Sequence, residues 1–163
     1  MNVTVTRGEL LEQDVEVIVH PWNHNAVPWR WRAPQPDLSR ALRRRAGPKA
    51  FRALARHGWI ALGGAVLTGA GRLPFRGIVH VASVNLLGWP SERAIRNGVR
   101  SVVQVLREQG FASAAFPVLG ACSKRLAPGR ALAILRDALG FVPAPPAARE
   151  VRIVVAPGSG GAP

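Results

Sequence analysis

The densest group of residues able to do chemistry follows a short apolar run. Val15, Val17, Ile18 and Val19 are β-branched over a strand's length, and His20, Pro21, Trp22, Asn23, His24 and Asn25 come directly after them. In an open α/β sheet, ligands sit beyond the carboxyl ends of the strands. A buried strand that releases polar and aromatic groups there forms one wall of a site. The same residues also suit an ordinary turn, since Pro and Asn are turn formers. Pro21 lacks an N–H for a ladder, so the strand is expected over residues 15–19, stopping at His20-Pro21.

Between residues 20 and 36, Pro21, Pro28, Pro34 and Pro36 alternate with Trp22, Trp29 and Trp31. Such a stretch suits neither helix nor central strand. It is too apolar for a solvated linker, so an ordered loop over a core or a ligand is expected. Farther on, Pro117-Val-Leu-Gly-Ala-Cys-Ser123 follows another apolar run. Cys122 is the single cysteine, so no intramolecular disulfide forms, which fits a reducing, cytoplasmic setting. Four dispersed His and one Cys give no metal-ligand spacing. Neither a metal nor another cofactor is expected.

These groups need a frame. Val3–Thr6 reads as a strand and Arg7–Leu10 as a turn after it. A helix capped by Asp37 or Ser39 should turn Leu38, Ala41 and Leu42 inward and Arg40, Arg43, Arg44 and Arg45 outward, ending at Gly47-Pro48. A second helix over 49–57 has Phe51, Leu54 and Ala55 inward and closes at Gly58. Strands follow at 65–68 and 77–82. Ser91 caps the clearest helix, in which Ile95, Val99, Val102 and Leu106 share a face and Gly110 ends the pattern. A strand at 113–116, a helix opened by Pro128 with Leu132, Leu135 and Leu139 on one face, and a strand at 151–155 complete the chain. Strands alternating with helices imply an α/β fold whose largely parallel sheet is covered on both faces.

The 163 residues suit one domain, and 48% hydrophobic content marks it as globular. No apolar run approaches the ~18 residues of a membrane span, and the N-terminus does not read as a signal peptide. No membrane partner is expected. The net charge is +13, carried by 22 basic residues of which only Lys49 and Lys124 are lysine. That field favours anionic partners, nucleotides and nucleic acids among them, although single arginines equally suit a solvated face.

In order and spacing, several pieces of the chain resemble the macro domain family. They are Gly8-Glu-Leu10, Val15–Asn23, Arg45-Ala-Gly47, Gly64-Ala-Val-Leu-Thr-Gly-Ala-Gly-Arg-Leu-Pro74, Ile78-Val-His-Val81, Ser91-Glu-Arg-Ala-Ile95 and Ala115-Phe-Pro-Val-Leu-Gly120. The likeness covers about residues 2–156 and is closest to a divergent bacterial branch with a Pro/Trp-rich loop in place of the glycine-rich ribose loop. It implies a three-layer α/β/α fold with a central mixed, mostly parallel sheet of about six strands. Residues 1–156 would form the macro domain and 157–163 a flexible C-terminal tail, in a monomer.

The resemblance also implies ADP-ribose, or an ADP-ribosylated substrate, as partner. Gly8, Glu9 and Leu10 would meet the adenine, Glu9 standing where the family usually has Asp. Asn23 takes the last place of the family's Asn-Ala-Ala-Asn motif beside the distal ribose, where an amide suits a hydroxyl or a held water. His20 replaces the first Asn; it is a proton acceptor near neutral pH or simply a hydrogen-bonded core group. Trp29 and Trp31 would stack on a base or fill volume, Trp22 more readily the latter, with Arg30 and Arg32 beside them. Ser39 stands where catalytic relatives have Asp. Asp37, two residues earlier, is either a general base or a plain helix cap. Pro117, Leu119, Gly120, Ala121, Cys122, Ser123, Lys124 and Arg125 would carry the diphosphate, whose oxygens need small residues around them. Cys122 reads there as a small filler. Lys124 and Arg125 would crowd the phosphates or neutralise them.

Three functions remain open. One is an ADP-ribose-binding macro domain acting as an ADP-ribosyl hydrolase or O-acetyl-ADP-ribose deacetylase, with Asn23 and Asp37 as catalytic residues. Another is a non-catalytic reader of ADP-ribose or a related nucleotide. The third is a nucleic-acid-binding protein that reuses the fold, suggested by the charge and by Trp29-Arg-Trp-Arg32.

Overall fold

The computed structural model describes residues 1–23, 37–85, 87–121, 123 and 125–157, with Asn23 described by its backbone alone. The sites expected at Trp29, Trp31, Cys122 and Lys124, and most of the expected tail, lie outside those residues. Six strands form one sheet: β1 (Asn2–Arg7), β2 (Val17–Asn23), β3 (Ala65–Thr68), β4 (Gly77–Val84), β5 (Ser113–Pro117) and β6 (Glu150–Val155). Their order is β1-β6-β5-β2-β4-β3, and only β3 runs antiparallel to its neighbour. Helices α1 (Asp37–Ala46), α2 (Pro48–His57), α3 (Glu92–Gln109) and α4 (Pro128–Phe141) complete a three-layer α/β/α fold. No helix of the described residues is long and apolar enough to cross a membrane.

Alternation along the strands decides which layer each side chain joins. Val17 and Val19 of β2, and Val79 and Val81 of β4, pack with Ile95, Val99, Val102 and Leu106 of α3 and Leu135 and Leu139 of α4. Ile18, Ile78 and Ala82 point the other way, against Leu42 and Ala46 of α1 and Ala50, Phe51 and Leu54 of α2. A central strand covered on both faces must be apolar almost throughout. At roughly 2 kcal/mol for each fully buried aliphatic side chain, these two cores dominate the stability of the fold. The ends of α3 follow local chemistry as expected: Ser91 Oγ accepts the Ala94 N–H at 3.1 Å, and Gly110 takes a left-handed φ of 66°.

Three local expectations change. First, β2 does not stop at His20 but runs to Asn23, paired with β4 throughout. Among the described residues β5 pairs with Val17 and Ile18 alone, so the later part of β2 carries no ladder on that side and tolerates Pro21. Second, the turn after β1 continues into one 3₁₀ turn over Leu10–Glu12, with Leu10 and Leu11 buried. Third, α2 buries Ala50 rather than Ala55, because Ala50 falls on the side of the helix that faces the sheet.

The connection from β3 to β4 closes the carboxyl end of α1. The Arg72 N–H donates to the Ala46 carbonyl at 3.0 Å and its Nη2 to the Arg44 carbonyl at 2.8 Å, a cation placed at the negative helix end. Gly71 makes this approach possible: at φ +64° an added Cβ would lie 2.1 Å from the Ala46 oxygen. Gly58 has a similar φ of +67° but nothing within 4 Å. Gly71→Ala is therefore expected to lower unfolding free energy by about 3 kcal/mol or more, and Gly58→Ala by only about 1 kcal/mol. Urea unfolding of the two variants measures the difference; equal losses would disprove the backbone contact.

Candidate functional site

His20 and His80 are direct register partners on the neighbouring parallel strands β2 and β4. Alternation sends both toward α1 and α2. Their Nδ1 atoms lie 2.9 Å apart. His20 Nε2 meets Ser39 Oγ of α1 at 2.9 Å, and His80 Nε2 meets Thr68 Oγ1 of β3 at 2.9 Å. Thr68 Oγ1 donates to the Gly69 carbonyl at 3.3 Å. Both histidines are fully buried, and Ser39 and Thr68 are each 5% exposed.

The proton positions in this chain follow from its end. Thr68 spends its O–H on Gly69, so it accepts from His80 Nε2–H. The bare Nδ1 of His80 then accepts from His20 Nδ1–H, and His20 Nε2 accepts from the Ser39 hydroxyl. Every donor and acceptor finds its opposite, as buried polar groups require.

Both rings are neutral. Burial above all, then His80 and Arg43, hold His20 well below the usual 6.5. Burial, then Arg43 and His57, push His80 down to about 3. The Arg43 guanidinium sits 4.3 Å from the Phe51 ring centroid and 5.9 Å from that of Trp22. Trp22 is half-buried against the α1/α2 core, in keeping with a volume-filling role. The cluster is thus a structural lock between β2, β3, β4 and α1. It is not a proton acceptor at neutral pH.

The other predicted residues gather at the carboxyl edge of the parallel strands. Gly8 follows β1, with its N–H on the Val155 carbonyl at 3.1 Å. Glu9 is exposed, and its side chain does not cap the following turn. Leu10 is a core residue, so its side chain is not available to a ligand. Asn23 ends β2, with its backbone opposite Val84. Pro117 ends β5, and Leu119 is buried. Gly120 has φ +85°, and an added Cβ would lie within 3.3 Å of Pro90, Ile95 and Leu126.

The amides expected to face phosphate are partly spent within that loop. Ala121 N–H donates to the Val118 carbonyl, and Ser123 N–H to the Gly120 carbonyl, each at 3.2 Å. Arg125 N–H goes to Ser123 Oγ at 3.2 Å. Asp37 opens α1 with its side chain 99% exposed, 3.5 Å from Arg40. Ser39, expected as an alternative cap, lies inside the helix and turns to His20.

A model of the macro domain family matches residues 19–135. The chain belongs to the macro domain family. Among its relatives is an uncharacterized protein of Aquifex aeolicus (strain VF5), 28% identical over 121 residues, or 74% of this chain and 70% of that one. The fold is similar to the macro domain of ganglioside induced differentiation associated protein 2, with a TM-score of 0.76 and 21% identity over 98% of this chain and 79% of that one. It is also similar to a Trypanosoma brucei macrodomain in complex with ADP-ribose, with a TM-score of 0.72 and 21% identity over 94% and 63% of the two chains.

In this macro domain the sequence reading singled out His20 and Ser39 but missed His80 and Thr68. The signal was present as a repeated tripeptide, Ile18-Val-His20 and Ile78-Val-His80. A polar ring in the middle of a buried strand needs a partner, and two such strands side by side supply each other's.

The lock makes stability depend on pH. Both imidazoles stay neutral in the fold and become free to protonate once unfolded, so below about pH 6.5 unfolding takes up protons. Stability is full above that pH and falls as pH drops toward 3. The slope approaches about 1.4 kcal/mol per pH unit for each ring, or about 3 for the pair. Urea unfolding between pH 7.5 and 5 should show this fall, and His80→Asn should halve its slope. A flat profile in the wild type would refute the buried neutral pair.

Proposed function

We propose that this macro domain binds ADP-ribose along the carboxyl ends of β1, β6, β5 and β2. The observation that carries the proposal is the strand order. It sets Glu9 after β1, the loop 118–127 after β5 and Asn23 at the end of β2, in the chemical order adenine, diphosphate, distal ribose. Three strand spacings of ~4.8 Å separate the outer two by roughly 14 Å, a span suited to an extended ligand of that size. The Trypanosoma brucei relative in complex with ADP-ribose supports the reading. So does the net charge of +13, which favours a diphosphate.

Glu9 accepts the adenine amino group, and Asn23 holds a distal ribose hydroxyl. With Ala121 and Ser123 amides committed to turns, Arg125, with Lys124 beside it in sequence, neutralises the diphosphate. In this reading residues 24–36, Trp29 among them, stand in for the glycine-rich ribose loop, as in a divergent bacterial branch of the family.

Hydrolysis of an ADP-ribosyl or O-acetyl-ADP-ribose linkage is the second reading. It is favoured by one observation: Asp37 presents an exposed carboxylate on the first turn of α1. Ser39 does not serve, since its hydroxyl is bound to a neutral imidazole. In this reading Asn23 positions the attacking water and Asp37 takes its proton.

Calorimetric titration with ADP-ribose, with AMP as control, tests the binding. ADP-ribose should bind more tightly than AMP, and Asn23→Ala and Glu9→Ala should each weaken it by about tenfold, the loss of one or two hydrogen bonds. Equal affinity for the two nucleotides would remove the reading. For turnover, release of ADP-ribose should fall at least about tenfold in Asp37→Asn, with binding unchanged; no product from the wild type would leave a reader.

A further inference from the structure

A second surface lies beside this edge and shares only Arg125 with it. β4 ends at Val84, which pairs with Asn23 of β2 and bridges to Pro90. The turn between Val84 and Pro90 is built on Asn85. Its Oδ1 accepts the N–H groups of Leu87 at 2.9 Å and Trp89 at 3.0 Å, and its own N–H donates to the Trp89 carbonyl at 3.0 Å. A turn held this firmly nevertheless presents Leu87 at 61% and Trp89 at 41% exposure.

The Arg125 guanidinium, from the loop between β5 and α4, lies 3.9 Å from the Trp89 ring centroid. Arg93 is exposed on the first turn of α3. Arg96 and Arg130 share the carboxylate of Glu92, and Arg96 also pairs with Asp137. Four arginines thus accompany two carboxylates on α3, α4 and the loop before α4, a local surplus of positive charge.

We propose that Trp89 and Arg125 form a stacking platform for an unpaired base of a single-stranded nucleic acid, with Arg93 and Arg130 contacting its phosphates. Every base has a flat π face, so an exposed indole takes bases without regard to sequence. The guanidinium lies against the ring while Trp89 stays 41% exposed, so in this proposal a base stacks on the exposed part of the indole and the arginine pairs with a phosphate. A duplex hides its base faces, which selects single strands. An acidic peptide would use the arginines but has no call on an exposed indole. The net charge of +13 adds long-range attraction for a polyanion. This docking does not depend on the ADP-ribose reading.

Fluorescence anisotropy of a labelled oligothymidine of about 12 nucleotides, titrated with the full chain at about 50 to 200 mM salt, tests it. The single strand should bind at least about tenfold more tightly than a duplex of the same length. Trp89→Ala should weaken binding about tenfold or more, and Trp89→Phe should recover most of the loss. Arg125→Ala should flatten the slope of log affinity against log salt by about 0.7, one phosphate contact. Trp59→Ala, which removes an exposed indole on the loop after α2, should bind as the wild type. Melting curves run alongside report that each variant is folded. Absence of binding, equal or tighter binding of duplex, or a folded Trp89→Ala that binds like the wild type would overturn the proposal. So would polyglutamate competing as well as the oligonucleotide, which would assign the surface to acidic polypeptides.

Discussion

The hydrogen bond between His20 and His80 ties the middle of the molecule together. At 2.9 Å it joins β2 to β4, and through Ser39 and Thr68 it reaches α1 and β3. Four polar side chains in an apolar interior are tolerable only when every donor meets an acceptor. Leaving one such group unsatisfied costs about 1–3 kcal/mol. The order of protons set by the Thr68 hydroxyl satisfies that condition. The register of β2 against β4 is therefore specified twice, once by apolar packing on both faces and once by the imidazole pair.

That constraint determines what α1 offers to the site. With Ser39 turned inward to His20, the helix is oriented so that Asp37 faces solvent. Ser39 has thus become part of the frame. In the proposed reading, contact with a ligand at this edge falls to groups that do not share in the lock: the carboxylates of Glu9 and Asp37, the backbone turn at Gly120, and the strand end at Asn23. The extension of β2 through Pro21 follows from the same pairing, since β4 continues beside it to Val84 after β5 has ended.

Much of this was legible in the sequence wherever the cause is local. The ends of α3 are written in Ser91 and Gly110, because a hydroxyl cap and a left-handed glycine act within a few residues. The α/β class follows from alternation and from uninterrupted β-branched runs. The end of β2 was not legible, because Pro21 stops a strand only when ladders flank it on both sides, and the extent of β5 is a tertiary fact. The imidazole lock was hidden for the same reason. Its members are up to 60 residues apart in the chain, and only the pairing of strands reveals that the two Ile-Val-His tripeptides lie side by side. At the proposed ligand edge, sequence likeness placed Gly8, Glu9, Asn23 and Gly120 on neighbouring loops. It gave no sign that the amides of Ala121 and Ser123 close turns of their own.

The pairing of Asn23 with Val84, and the hold of His20 and Arg72 on α1, also make two fixed posts of the chain on either side of residues 24–36. A segment strung between posts that the rest of the fold secures is a replaceable cassette. Doubling its length costs only about 0.6 kcal/mol in closure entropy. Its composition is free to change while the sheet stays as it is. Within one architecture, diversification has an address.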